Sequence, residues 1–288
     1  MKTIENCLIC GNCGTKKHNA IVVPFIAERV FNKKPFKINL LECKKCGFMF
    51  FNLRLDDDEM NKLYSGYRDK NYIKQRNKHE PWYTNRFNDT LFNNNDHLNN
   101  RRELLIKLYK AYPPVLNVKI KSILDFGGDK GQLIDQIFNE AKKYVYEISN
   151  VELLPNIEKV DDSSCGVYDF VICSNVLEHV SFPRSIIQQI NKMTHDKTIF
   201  YLEVPYEQPY CSGTLIKRIF QQTALLLFRF TDFISMLKPG MFTHMHEHIN
   251  YFSVNSICQL LQSEGFSNIK ISIEKSNSTK LICCFAQK

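Results

Sequence analysis

Cysteine pairs at close spacing are the first residues in this chain whose type and order could do chemistry. Cys7-Leu-Ile-Cys10-Gly and Cys43-Lys-Lys-Cys46-Gly each put two thiols on one tight turn. The glycine that follows allows the backbone angle that turns amides toward sulfur. Two such knuckles make a tetrahedral four-cysteine zinc site of the closed, structural kind. Cys10-Gly-Asn-Cys13-Gly is an equally good first knuckle three residues on. The preferred ligands are Cys7, Cys10, Cys43 and Cys46, with Cys13 as the rival. A second group, His244-Met-His246-Glu247-His248, and a further His179 beside Glu178, offer imidazoles. These titrate near neutrality and suit removal of a proton from an alcohol. A third group is glycine-rich: Asp125-Phe-Gly127-Gly-Asp-Lys-Gly131.

The elements that must hold these groups follow from pattern. Ala20-Ile-Val-Val-Pro and Phe36-Lys-Ile-Asn-Leu-Leu read as short strands between the knuckles, so residues 1–54 form a zinc-ribbon-like module. Residues 55–115 read as a helical linker or lid. Asp56-Asp-Asp-Glu59 opens a helix, since acids favour its N-terminus. Tyr64, Tyr67, Arg68, Tyr72 and Arg76 follow at near-helical spacing, and Arg101 to Tyr112 is amphipathic. From 116 to 288 the pattern is α/β. Lys121-Ser-Ile-Leu-Asp-Phe is a buried strand running into the glycine turn, and Leu133-Ile-Asp-Gln-Ile-Phe after it has helical apolar spacing. Lys143-Tyr-Val-Tyr-Glu147 is a second strand that ends in an acid 22 residues after Asp125, where it can take the ribose hydroxyls of an adenosine ligand. Tyr168-Asp-Phe-Val-Ile-Cys-Ser-Asn175 and Lys197-Thr-Ile-Phe-Tyr-Leu-Glu203 are further strands.

Composition bounds the reading. The chain has 288 residues, 44% hydrophobic and 24% charged, which excludes collagen, coiled-coil and wholly disordered classes. No apolar run reaches the roughly 18 residues of a membrane span, and the start has no secretory core, so a cytoplasmic protein is expected. Reduced or metal-bound thiols then suit the eleven cysteines better than disulfides. Residues 1–54 carry ten Lys/Arg against three Asp/Glu, and the rest twenty-eight against twenty-seven. The basic excess therefore belongs to the ribbon.

Taken together, the catalytic half resembles the class I S-adenosylmethionine-dependent methyltransferases. Asp125-Phe-Gly127-Gly-Asp-Lys-Gly131 is similar to their D-x-G-x-G-x-G loop, with Asp129 in place of the middle glycine. Val145-Tyr-Glu147-Ile-Ser resembles the ribose-binding segment, and Asn175-Val-Leu-Glu-His-Val the motif after the fourth strand. Glu264-Gly265-Phe266 and the hairpin around Ser276-Asn-Ser-Thr resemble the reversed final strand pair. The resemblance implies a Rossmann-like seven-stranded sheet and S-adenosylmethionine as cofactor. It implies that Asp125, Gly127, Gly131, Glu147 and Asn175 line the cofactor site, and that Asp161 or Asp162 meets the adenine. The two knuckles ahead of this domain resemble bacterial methyltransferases of sugar, capsule and lipopolysaccharide pathways. Long members add a C-terminal domain for C-methylation. This chain stops at Lys288, so the resemblance favours O-methylation of a sugar, nucleotide-sugar or glycan hydroxyl, with N-methylation as the second choice.

For that chemistry His179, His246 and His248 are the candidate bases. Some related methyltransferases bind a catalytic metal through Glu-x-x-Glu-His. Here Asn175 replaces the first acid, so metal-independent chemistry is expected. Residues 212–241 read as an insertion rich in apolar residues and cations: a lid, a dimer contact, or a peripheral contact with a lipid-linked acceptor at a membrane. The alternative function is an RNA methyltransferase gripping RNA with the basic ribbon. The near-balanced charge of the catalytic half disfavours nucleic acid as partner. A third reading is a binding module without turnover, for which Asp129 is the only support. The acceptor and the oligomeric state are not legible.

Overall fold

The computed structural model describes residues 2–67, 69–87, 95–149, 151–160, 166–209, 243–277 and 279–288. Asp161, Asp162, Arg68 and the insertion at 212–241 lie outside these residues.

The N-terminal part holds strands β1 (Lys2–Thr3), β2 (Thr15–Val22), β3 (Lys37–Cys43), β4 (Met49–Phe51) and β5 (Leu53–Arg54). Helix α1 (Pro24–Phe31) interrupts the two expected strands. Pro24 opens it, where a missing amide proton costs nothing, and Asn32 closes it in the left-handed conformation. Next come α2 (Asp57–Tyr64), α3 (Lys70–His79) and α4 (Asn95–Lys110). The expected helix start at Asp56 is a capping box: Asp56 Oδ1 accepts from the Glu59 amide at 2.9 Å, and Glu59 Oε2 from the Asp56 amide at 3.1 Å.

The second part follows as β6 (Ser122–Phe126), β7 (Lys142–Tyr146), β8 (Ile157–Val160), β9 (Phe170–Ser174), α5 (Pro183–Asn191) and β10 (Ile199–Pro205). After the insertion come β11 (Thr243–Met245), β12 (Asn250–Tyr251), α6 (Val254–Ser263), β13 (Ser267–Ser276) and β14 (Thr279–Gln287). Seven strands form one sheet in the order β8–β7–β6–β9–β10–β14–β13. The strands β6 to β10 pair in parallel, while β14 runs antiparallel to both β10 and β13. This is the seven-stranded sheet with its reversed final pair. The strand order turns back between β6 and β9, and ligands of open α/β sheets bind in the crevice at such a point.

A helix expected after the glycine loop does not form. Residues 129–140 are consecutive turns, in which the Ile137 amide bonds Ile134 and the Ala141 amide bonds Phe138. Phe138 sits at φ +47°, which no helix interior admits, and the chain must reach β7 within a few residues. The apolar spacing still buries Leu133, Ile134 and Ile137, so packing is kept without the helical ladder.

The second sheet has the order β11–β2–β3–β4–β12. Three of its strands come from the N-terminal residues 1–54 and two from residues 243–251. β11 pairs in parallel with β2, and β12 antiparallel with β4, on opposite edges. Residues 246–249 therefore connect one edge of the ribbon sheet to the other. The Ser253 hydroxyl also donates to the Cys46 carbonyl at 2.6 Å, tying the second knuckle to the start of α6. Among the described residues no helix is long and apolar enough to cross a membrane.

Candidate active site

The crevice at the C-terminal ends of β6 and β9 is built from short polar segments. Asp125, near the end of β6, is 2% exposed, and its Oδ2 has no hydrogen-bond partner. Burial pushes its carboxyl up to about 7, against the pull of the nearby Arg101 guanidinium. The loop that follows passes through Gly127 at φ +74° and Gly131 at φ +82°. A Cβ at Gly127 would lie 2.6 Å from Val176 Cγ2, so the loop after β9 lies directly against the glycine loop. Asp129 takes φ +53°, the conformation a glycine would adopt there, and its amide donates to Glu147 Oε2 at 3.2 Å. Glu147 Oε1 accepts from the Ser149 amide at 2.8 Å, which fixes this carboxylate at the crevice edge. Asn175, exposed at φ +55°, begins the loop after β9.

Two groups here escaped the reading of the sequence. Arg101, on α4, reaches Ser174 at the end of β9 and Glu203 on β10. Glu203 is 1% exposed and also accepts from Ser174 Oγ at 2.8 Å and Tyr201 OH at 2.7 Å. Burial would raise its carboxyl, but Arg101 and these donors hold it below the usual range. A charged Glu inside an otherwise apolar strand was the visible signal of this network. Nothing in the amphipathic pattern of α4 showed which arginine would answer it.

The histidines gather at the far side of the same loop. The carbonyl of Glu178 accepts from the amides of Ile249 (2.8 Å) and Asn250 (3.1 Å). Asn250 Nδ2 donates to the carbonyls of Leu177 and Val180 at 2.8 and 2.7 Å, and its Oδ1 accepts from buried Arg54 at 2.8 Å. This clamp brings His248 to His179, with ring centroids 4.7 Å apart. Glu178 is 2% exposed, and neither carboxylate oxygen has a hydrogen-bond partner. Burial pushes its carboxyl up to about 7. His179 Nδ1 lies 3.2 Å from the Glu247 carbonyl and 3.3 Å from Tyr64 OH. Burial, then the neighbouring His248, lowers His179 to about 4, so its imidazole is neutral at pH 7. His248 Nδ1 lies 2.8 Å from Glu207 Oε2, and that carboxylate outweighs burial and raises its titration point. His246 goes elsewhere: its Nδ1 faces Glu80 Oε1 at 3.3 Å. His244 is lowered to about 4 by burial. Beneath lies a charged layer from α3: Arg76 Nε donates to Glu80 and Nη1 to Glu247, each at 2.7 Å, and Tyr72 OH also donates to Glu247 at 2.7 Å.

A family profile described as "Methyltransferase domain" matches residues 97–271. The chain belongs to that family. It carries a methyltransferase domain. No curated protein matches the chain. Among solved structures, this methyltransferase is similar to human N-acetylserotonin methyltransferase in complex with SAM (14% identity, 78% of this chain and 58% of that one, TM-score 0.43). It is similar to the plantazolicin methyltransferase BpumL in complex with SAH (12% identity, 80% of this chain and 95% of that one, TM-score 0.47). It is also similar to magnesium protoporphyrin IX methyltransferase from Synechocystis (14% identity, 67% and 84%, TM-score 0.41). The methyltransferase thus spans little more than half the length of the human enzyme.

The knuckle cysteines also come together. Cys7, Cys10, Cys43 and Cys46 have their sulfurs within 4.8 Å of one another, with Cys7–Cys46 at 3.6 Å and Cys10–Cys43 at 3.5 Å. Sulfurs at about 2.3 Å from a tetrahedral zinc are separated by about 3.8 Å, so the set fits that ion. Cys13 is exposed and stands outside the group.

Proposed function

We propose that this methyltransferase passes the methyl group of S-adenosylmethionine to a hydroxyl of a sugar, nucleotide sugar or surface glycan. In the same reading Cys7, Cys10, Cys43 and Cys46 hold a structural zinc. The observation that carries the reading is the contact between Val176 and Gly127. It sets Glu178 and His179 immediately beside the glycine loop, where His248 joins them.

The residues fit the donor. When bound, S-adenosylmethionine supplies a methyl group on a sulfonium, open to in-line attack. Asp125 Oδ2, buried and without a partner, takes an ammonium such as that of the methionine moiety. Glu147 takes the ribose hydroxyls, Gly127 and Gly131 keep the backbone free of side chains, and Asn175 lines the crevice. An acceptor hydroxyl must shed a proton as it attacks. His179 is neutral and His248 is tethered to Glu207, so this pair acts on that proton. A mouth of Tyr64, Glu207 and His248 is rich in hydrogen-bonding groups and suits a polyhydroxylated acceptor. The described cysteines are all unpaired, which suits a reducing, cytoplasmic compartment.

The test is transfer of label from radiolabelled S-adenosylmethionine into fractionated extract of the host cell by the zinc-loaded protein. Label in nucleotide sugars or polysaccharide is expected. Label in RNA would overturn the acceptor assignment and give the basic ribbon the recognition role.

A further inference from the structure

We propose that Glu178, His179 and His248 form a binding site for a first-row divalent transition-metal ion at the acceptor mouth, distinct from the four-cysteine site. One potential ligand atom from each of the three residues lies within 4.8 Å of the other two. His179 Nε2 is 3.9 Å from Glu178 Oε1. Ions of this class sit at roughly 2.0–2.2 Å from imidazole nitrogen and carboxylate oxygen, so binding draws the three ligands in by about an ångström. Two histidines and one carboxylate form the facial ligand set that leaves other positions open for a substrate oxygen or water.

Two independent features point to an ion rather than to packing. The first is Glu178 itself. Its two oxygens are buried and have no hydrogen-bond partner, and Oε1 lies 3.9 Å from His179 Nε2, beyond hydrogen-bond distance. A buried carboxylate in that condition is costly unless something positive meets it. The second is the arrangement behind each ring. His179 Nδ1 is held by the Glu247 carbonyl and His248 Nδ1 by the Glu207 carboxylate. Both partners accept hydrogen bonds, so both Nδ1 atoms carry protons and Nε2 is left as the ligand atom. Metal-binding histidines are oriented by this kind of second partner. The sequence expectation of metal-free chemistry counted only Asn175, Glu178 and His179. The third ligand arrives from the far segment that crosses the ribbon sheet.

The purpose of the ion rests on the acceptor reading above: it places positive charge where a hydroxyl must lose its proton. Binding itself does not depend on that reading and is measured without any acceptor. The experiment titrates Mn2+ into protein loaded with a single equivalent of zinc, which the four thiolates take first, and follows the free-ion signal by electron paramagnetic resonance, with Co2+ absorption as a second, tighter-binding probe. One ion per chain is expected, with affinity weakened about tenfold or more in Glu178→Gln and in His248→Ala. Glu158→Gln, exposed on the edge strand β8, is the control and binds like the wild type. Near-UV circular dichroism verifies folding, and His248→Asn replaces any variant that fails to fold. Failure of both ions to bind, or equal binding by wild type and variants, overturns the site and leaves His179 as a direct base. Label transfer into a glycan would still stand in that case, so the two readings fail separately.

Discussion

Arg76 Nη1 lies 2.7 Å from Glu247 Oε1, joining the connecting helix α3 to the segment that carries the histidines. Both side chains are largely buried, at 7% and 15% exposure. The backbone carbonyl of the same Glu247 holds His179 Nδ1. Arg76 therefore acts on the site through Glu247 and not by touching a substrate. Removing one partner of a buried pair leaves the other charge unmatched. Arg76→Ala is expected to cost about 3–5 kcal/mol of stability, read by chemical denaturation. Turnover should fall with it, through kcat more than through KM. Arg76→Lys should recover only part of the loss, since one ammonium cannot serve Glu80 and Glu247 with the geometry of a guanidinium fork.

Asp125 gives a pH dependence. Its folded carboxyl titrates at about 7, raised from 3.8 by burial, while Arg101 pulls it down and Glu147, Glu203 and Asp129 add to the rise. A raised carboxyl stabilises the ligand-free fold fully below 3.8, and that contribution is lost as pH rises through about 7. The cofactor's ammonium needs the ionised form. Calorimetry should show affinity for S-adenosylmethionine falling by about tenfold per pH unit below 7 and levelling above it. Asp125→Asn should stabilise the ligand-free protein at pH 8 by roughly 1–3 kcal/mol and weaken the cofactor. An affinity flat from pH 5 to 8 would remove Asp125 from the site.

Candidate residues are legible where chemistry is local. Asp125 lies near the end of a strand with a plain apolar run, Gly127 and Glu147 just after such strands, and the knuckles announce themselves by spacing. What the sequence hid is long-range. β11 and β12 have three and two residues, too few for any periodicity, and they exist because the ribbon offers them two edges. His246 and His248 look equivalent in sequence. They part company because residues 246–249 are a connector and not a strand, so one meets Glu80 and the other Glu207. Arg54 and Asn250, which clamp the two halves, are a buried pair that no local pattern reveals. The false helix after Gly131 shows the converse error, in which apolar spacing reported burial and was taken for a ladder.

The glycine loop tolerates some changes and not others. Gly127→Ala would combine φ +74° with a Cβ 2.6 Å from Val176 Cγ2, a clash between the two loops that flank the crevice. It should weaken S-adenosylmethionine binding about tenfold or more, as expected for strain of about 1–3 kcal/mol. Asp129 already occupies the left-handed region at φ +53°. Asp129→Gly removes that mild strain and leaves its amide free to reach Glu147, so affinity should stay within about twofold of the wild type. Isothermal titration of both variants separates the two. Equal losses would mean that the Asp129 side chain itself touches the cofactor.

The ribbon's part in the site is tested through its cysteines. Cys46→Ser removes one of four gathered sulfurs, whereas Cys13→Ser alters an exposed thiol outside the group. Elemental analysis should find about one zinc per chain less in Cys46→Ser than in the wild type, and no such loss in Cys13→Ser. The effect should not stop at the knuckle. The Cys46 carbonyl accepts from the Ser253 hydroxyl, and β4 carries β12, whose Asn250 clamps the loop of Glu178 and His179. Metal binding is folding free energy in such modules. Cys46→Ser is therefore expected to lower Tm and to lose methyl transfer. Full turnover by zinc-free Cys46→Ser would show that the histidine segment keeps its place without the ribbon.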